Sequence, residues 1–185
     1  FVGTGVSVKE LKKVTIQNNT FTNITANNGI TVICDNLTEE VNVSENIVSN
    51  VDSGAGIRIR NPKALNITNN NVKETSHNAI TIEGTTYGDA VITGNVLKNW
   101  GKGADNGRAI RMVKGANTTA TITKNTMLHN NAPEEFLKIT NNTENVNINE
   151  NYWNGANPVG EHTPAYDLVE GIIPNSYYQK YSVEN

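Results

Sequence analysis

Six segments of the chain share the pattern apolar-x-apolar-x-x-Asn-x-apolar, and this repetition restricts the possible folds more than any other feature. The segments are VTIQNNTFTNI (14–24), VNVSENIVSNV (41–51), LNITNNNVKET (65–75), AVITGNVLKNW (90–100), ATITKNTMLHN (120–130) and VNINENYWNG (146–155). Their shared residues are Asn19, Asn46, Asn70, Asn95, Asn125 and Asn151, spaced 27, 24, 25, 30 and 26 positions apart. Periods of this length are typical of repeat proteins in which each unit is one supersecondary element.

A second repeated segment lies between these six. Its copies are GITVI (29–33), GIRIR (56–60), AITIE (79–83), AIRMV (109–113) and FLKIT (136–140), with GVSVK (5–9) as an earlier, incomplete member. Apolar residues at every second position predict strands with one buried face. A short strand cannot bury that face alone, but stacked copies enclose a continuous core. The sequence therefore predicts an all-β solenoid of about six coils over residues 1–154, with stacked strands about 4.8 Å apart.

The constant asparagine is expected in a turn, because this residue is disfavoured within strands and favoured where its amide can bond to the backbone. In stacked coils, each side-chain amide would bond to its counterparts above and below, as in other asparagine arrays. We therefore interpret these residues as an asparagine ladder with a structural role.

The coil length and the asparagine turn resemble the right-handed parallel β-helix proteins of the pectin lyase-like superfold, over residues 5 to about 153. The segment NYWNGANP is similar to the NYWG…NP ending found after the last coil in secreted and surface-anchored bacterial proteins of this type, although Asn154 interrupts it. The resemblance implies a single-stranded right-handed parallel β-helix, an extracellular or cell-surface location and contact with polysaccharide. It does not decide the activity, because the superfold includes lyases, hydrolases, esterases, epimerases, adhesins and inert spacers.

The two ends of the solenoid raise different expectations. Residues 155–185 break the repeat and carry four of the six tyrosines, which favours a C-terminal capping segment over the open coil. The other end enters the repeat at once, so we expect an uncovered apolar cross-section there that includes Val6, Val8, Val14 and Ile16. An open strand edge of this kind favours self-association through the N-terminal end.

The solvent face of the second repeated strand is predicted to hold Arg58, Arg111 and Lys138, with Arg60 and Glu83 beside them. Arg58 and Arg111 are two coils apart, about 10 Å. Such cations match the carboxylates of an acidic polysaccharide, which arginine binds through two hydrogen bonds. The alternative is an ordinary solvated sheet face on which Glu83 neutralises Arg60.

The connection from Leu97 to Ile110 takes 13 residues, whereas the corresponding connections elsewhere take 8 to 10. Long loops on rigid scaffolds often carry function. This loop adds to the predicted ligand-binding set the residues Trp100, Lys102, Asp105 and Arg108. An exposed Trp100 would stack on a sugar ring, but its alignment with Ile24 and Val51 favours inward packing.

Two functions remain open. The first is a non-catalytic, carbohydrate-contacting or adhesin-like module that binds acidic polysaccharide. The alternative is a polysaccharide lyase or glycoside hydrolase whose catalytic residues would be Asp105, Arg108, Arg111 and Lys138. Asp105 with Glu134 or Glu135 is the plausible carboxylate pair for hydrolysis. A lyase would use arginine or lysine as base and usually calcium on clustered acids, for which ADNG (104–107) is the sequence hint.

Other classes receive no support from the sequence. The net charge of −3 gives no reason to expect nucleic acid as a partner. No apolar run approaches the roughly 20 residues of a membrane span. The three histidines, His77, His129 and His162, fall in different coils, so no metal site is predicted. The single Cys34 is expected to pack as a small hydrophobe.

Overall fold

The computed structural model shows a chain wound into a parallel β-solenoid, as the repeats predict. The structure describes residues 3–36, 38–84, 88–103, 107–115, 118–130, 136–141, 145–148, 151–154 and 169–170. Within these ranges the regular elements are strands, arranged in three parallel sheets that run along the solenoid. The strands form six successive sets of three, with one strand in each sheet, and five turns of the solenoid connect these sets. This arrangement confirms the predicted all-β class and the approximate number of coils.

Each coil contributes one strand to each of three sheets. Sheet A contains β1 (Val6–Lys9), β4 (Ile30–Ile33), β7 (Ile57–Arg60), β10 (Ile80–Glu83), β13 (Ile110–Lys114), β16 (Leu137–Asn141) and β19 (Val169–Glu170). Sheet B contains β2 (Lys13–Gln17), β5 (Glu40–Ser44), β8 (Ala64–Thr68), β11 (Ala90–Thr93), β14 (Ala120–Thr123) and β17 (Val146–Asn147). Sheet C contains β3 (Thr20–Ile24), β6 (Ile47–Val51), β9 (Asn71–Thr75), β12 (Val96–Lys98), β15 (Thr126–Leu128) and β18 (Tyr152–Asn154). Each repeated asparagine segment therefore forms two strands, in sheets B and C.

The strands of sheet A stack in the register that the second repeat predicts. Ile57 pairs with Ile30 on one side and Ile80 on the other, and the same column continues to Ile110 and Leu137. These side chains point into the solenoid, where each is 0% exposed. Burial of such large aliphatic side chains stabilises the fold by about 1.5–3 kcal/mol for each.

The asparagine ladder is present at the turn between sheets B and C. The side-chain amide nitrogen of each asparagine donates to the Oδ1 of its counterpart in the next coil, from Asn19 through Asn151, at 2.9–3.2 Å. Asn70, for example, also donates to the carbonyl oxygens of Val43 and Thr68. Its own Oδ1 accepts from the backbone N–H of Asn46 at 3.0 Å. The asparagine side chains of the ladder therefore form hydrogen bonds with buried backbone groups as well as with one another.

Backbone conformation explains why asparagines cluster beside the ladder. In the sequence NNN, Asn69 has φ 55° and Asn70 belongs to the ladder, whereas Asn71 begins β9. The left-handed conformation recurs immediately before the ladder residue in the other coils, at Asn18, Glu45, Gly94 and Lys124. Asparagine and glycine adopt this conformation with little strain.

The N-terminal end is more covered than the sequence predicts. Val14 and Ile16 are only 4% and 7% exposed, so the expected open cross-section is wrong for them. Their side chains belong to the hydrophobic core of the solenoid. Val6 and Val8 are half-buried and pack against the core. Self-association through this end stays a prediction.

The C-terminal cap falls almost entirely outside the described residues. Within 155–185 the structure describes Val169–Glu170, which pair in parallel with Leu137 and Lys138 and extend sheet A by one strand. No helix in the described part of the chain is both long and apolar enough to cross a membrane.

We predict that Asn70→Ala lowers the free energy of unfolding by about 1–3 kcal/mol, because it removes the side-chain acceptor of the buried Asn46 N–H and the side-chain donor to the Val43 carbonyl oxygen. Thermal or urea unfolding measures the effect. The matched control is Asn19→Ala, the same substitution at the exposed end of the ladder. Equal destabilisation of the two variants would show that burial in the ladder does not set the stability of the turn.

Candidate functional site

The outward face of sheet A brings the predicted cations into one column. Thr31, Arg58, Thr81, Arg111 and Lys138 pair in register from β4 to β16. The two threonines are 7% and 5% exposed and lie low on the sheet. Arg111 is exposed, and Lys138 is half-buried. We refer to Arg58, Arg60, Glu83, Arg111 and Lys138 as the sheet A strip.

Glu83 pairs with Arg58, which corrects the expectation that it neutralises Arg60. The Arg58 Nε donates to Glu83 Oε1 at 2.9 Å, and a second guanidinium nitrogen contacts the same oxygen. Although Arg60 and Glu83 are direct partners in the backbone register, the half-buried Arg58 offers a less screened ion pair than the exposed Arg60. The side chains of Arg60 and Arg111 form no hydrogen bond or ion pair with other described residues.

Trp100 lies in the core, so its predicted role as an exposed stacking platform is wrong. It is 1% exposed and extends the inward column of Ile24 and Val51, in agreement with the inward-packing alternative. Its ring contacts His129 and Phe136, with centroids 4.9 and 5.2 Å away. The His129 Nε2 donates to the Trp100 carbonyl oxygen at 2.8 Å.

Arg108 is also buried, at 6% exposure, which contradicts its predicted position in an accessible loop. Its backbone N–H donates to Asn78 Oδ1 at 2.7 Å, as the N–H of Ala55 donates to Asn28 Oδ1. Arg108 therefore closes the turn before β13. The structure does not bring it together with Arg111 as part of an exposed set. Asp105, Glu134 and Glu135 lie outside the described residues.

The extended loop borders a cleft of about 250 Å³ at the corner between sheets C and A. We call it the corner cleft. Its lining residues come from three successive coils and are Asn50, Val51, Asp52, Glu74, Ser76, Lys102 and Gly103. The backbone N–H groups of Lys102 and Gly103 donate to the carbonyl oxygens of Thr75 and Ser76, which anchors the start of the loop against the preceding coil. Lys102 is the predicted site residue that reaches this cleft.

Glu74 organises the charges of the corner cleft. It forms an ion pair with Lys102 and accepts a hydrogen bond from Asn99 Nδ2 at 2.6 Å. Burial opposes ionisation, but the bonds from Lys102 and Asn99 and the nearby positive charge outweigh it and lower the pKa of Glu74. Sequence reasoning missed this residue. The available signal was its position four residues after Asn70, where the neighbouring coils have Asn50 and Asn99.

The buried Cys34 does not contribute to the site. Cys34 is buried at the end of β4, and desolvation raises the pKa of its thiol to about 11, so it is an unreactive core residue at neutral pH. Among the described residues, no three histidine, cysteine, aspartate or glutamate side chains converge to hold a metal ion.

We predict that Glu74→Gln destabilises the protein by less than about 1 kcal/mol, because a partly exposed ion pair contributes little. Since the folded-state pKa of Glu74 is lowered, the difference from wild type is present above the ordinary pKa of 4.5 and is lost as the pH falls through the folded-state value. Urea unfolding between pH 3 and pH 7 measures it. Glu39→Gln, which removes the carboxylate of the exposed pair with Lys12, is the control. A difference that does not change with pH would contradict the assignment.

The comparisons with known proteins agree with the observed architecture. The family model described as right handed beta helix region matches residues 1–160. No curated protein and no solved structure matches the chain significantly. With a family model covering most of its length and three parallel sheets stacked coil on coil, the chain belongs to the right-handed β-helix family.

Proposed function

We propose that the protein is a carbohydrate-binding β-helix module of a secreted or cell-surface bacterial protein, and that it binds acidic polysaccharide along the sheet A strip. The observation that carries the proposal is the register of Arg58, Arg111 and Lys138, which aligns three cations along the solenoid axis. The location and the polysaccharide class follow from the resemblance to pectin lyase-like proteins.

The spacing of the strip suits a repeating anionic ligand. Arg58 and Arg111 are separated by two strand spacings, about 10 Å, and Lys138 follows about 5 Å further on. The exposed Arg111 guanidinium has five N–H donors and can hold a carboxylate through two hydrogen bonds. The low-lying Thr81 leaves room for a polymer chain between Arg58 and Arg111.

The Arg58–Glu83 ion pair would weaken ligand binding to the sheet A strip rather than prevent it. A polysaccharide carboxylate that binds Arg58 must compete with Glu83, whose negative charge also repels the ligand at short range. Arg60 and Arg111 require no such exchange with another described residue. Affinity is therefore expected to come mainly from these two arginines, with Arg58 contributing less.

An adhesin-like role fits this surface better than catalysis does. The burial of Arg108 removes one member of the predicted catalytic set, and the sheet A strip is a row of side chains on the outer face of a parallel sheet. The lyase or hydrolase alternative keeps Arg111 and Lys138 as candidate bases and Asp105 as a candidate acid. Calcium would be its expected cofactor if elimination were the reaction.

We predict that Arg111→Ala weakens binding to polygalacturonate by about tenfold at low salt, the equivalent of one charged hydrogen-bonded contact. Glu83→Gln should strengthen binding, because it releases Arg58 and removes a repulsive charge. Both effects should shrink as salt rises, since exposed charges are screened. Isothermal titration calorimetry against polygalacturonate and a neutral glucan measures them.

The control variant is Lys73→Ala, which removes an exposed cation from sheet C. An equal effect of Arg111→Ala on affinity for the neutral glucan, or indifference of polygalacturonate binding to both Arg111→Ala and Glu83→Gln, would contradict the proposal. Release of reducing or unsaturated ends from polygalacturonate during the titration would instead support the enzymatic alternative.

A further inference from the structure

We infer that the corner cleft is a second carbohydrate site, distinct from the sheet A strip, which takes a single sugar residue that carries hydroxyl groups and no carboxylate. The inference does not depend on acidic-polysaccharide binding by the strip. It rests on the polar lining of the cleft, its charge balance, its size and the packing of Gly103 against its wall.

The lining residues, which come from three coils, supply both hydrogen-bond donors and hydrogen-bond acceptors. Asn50, Asp52 and Lys102 are exposed to solvent, whereas Ser76 is 6% exposed and lies lower in the wall. The carboxylate of Asp52 accepts only, the Lys102 ammonium donates only, and the amide and hydroxyl groups do both. Sugar hydroxyls both donate and accept hydrogen bonds, so a pyranose ring can satisfy such a mixed lining.

The charge balance selects against uronates. Lys102 is neutralised by Glu74, which also accepts a hydrogen bond from Asn99. The carboxylate of Asp52 forms no hydrogen bond or ion pair with any described residue, so it leaves one unbalanced negative charge on the cleft. A ligand carboxylate would be repelled there, whereas two neighbouring hydroxyl groups could donate to the two oxygens of Asp52.

The size of the cleft indicates one ring. Pockets for drug-sized ligands usually measure about 300–1,000 Å³, and the corner cleft measures about 250 Å³. Its lining of an aspartate, a glutamate and a lysine around a concave surface also distinguishes it from the sheet A strip.

Gly103 packs closely against Ser76 in the wall of the corner cleft. A Cβ at Gly103 would lie 2.3 Å from the Oγ of Ser76, so any larger residue would displace that hydroxyl. The same segment donates its N–H to the Ser76 carbonyl oxygen at 3.0 Å. The longest connection of the repeat therefore begins by packing against the cleft, through Lys102 and Gly103.

The test is amide chemical-shift mapping of the ¹⁵N-labelled protein with neutral hexasaccharides of glucose, mannose or galactose, and with hexagalacturonate. We expect at least one neutral hexasaccharide to shift the amides of residues 50–52, 74–76 and 101–103, with hexagalacturonate leaving them unchanged. Asp52→Asn should weaken this binding about fivefold to tenfold, since hydrogen bonds to charged groups are stronger than those to neutral groups. Gly103→Ala should weaken it independently, by displacing the Ser76 hydroxyl.

Two controls separate this site from the sheet A strip. Glu39→Gln removes a surface carboxylate elsewhere and should leave the neutral-sugar shifts unchanged. Arg111→Ala should also leave them unchanged, even where it reduces binding of polygalacturonate. The inference is overturned if no neutral hexasaccharide shifts these amides, if hexagalacturonate shifts them equally, or if Asp52→Asn and Gly103→Ala both bind as wild type does.

Discussion

Hydrogen bonding by buried asparagine side chains is the interaction on which the solenoid depends. At the turn between sheets B and C, the strand direction changes within the protein interior, where water cannot satisfy the backbone. Asn95, which is 0% exposed, shows how the side chain replaces water: it donates to the carbonyl oxygens of Ile67 and Thr93 and accepts from the N–H of Asn70. Unpaired buried groups of this kind are costly, so the residue type at this position has little freedom.

A fixed turn in every coil also fixes the register of the sheets. Because each ladder asparagine bonds to the next, neighbouring coils cannot slide by one residue without breaking those bonds. A one-residue slip would also exchange the inward and outward faces of each strand. The strand register that aligns Ile57, Ile80 and Ile110 inside the solenoid thus also aligns Arg58, Thr81 and Arg111 on its outside. The surface column is as well defined as the core.

The parts of the structure that repeat could be predicted from sequence, and those that occur once could not. The alternation of apolar residues identified the buried strand faces, and the spacing of the repeated asparagine identified the ladder. Both patterns could be recognised because they occur in several coils. Single side chains such as Glu83 had no second copy to compare, and its choice of Arg58 over Arg60 depends on local exposure. Trp100 could be placed inside by its alignment with Ile24 and Val51, whereas nothing in the sequence indicated that Arg108 is buried.

The division between repeated and unique parts also indicates where function can vary in this fold. Strand positions are constrained on one side by the core, but the corner between sheets C and A accommodates connections of different length without disturbing the ladder, which lies between sheets B and C. At the start of the extended loop, Lys102 and Gly103 bond to the preceding coil. The corner cleft and the sheet A strip therefore lie on the same stack of coils, whose register fixes their relative positions.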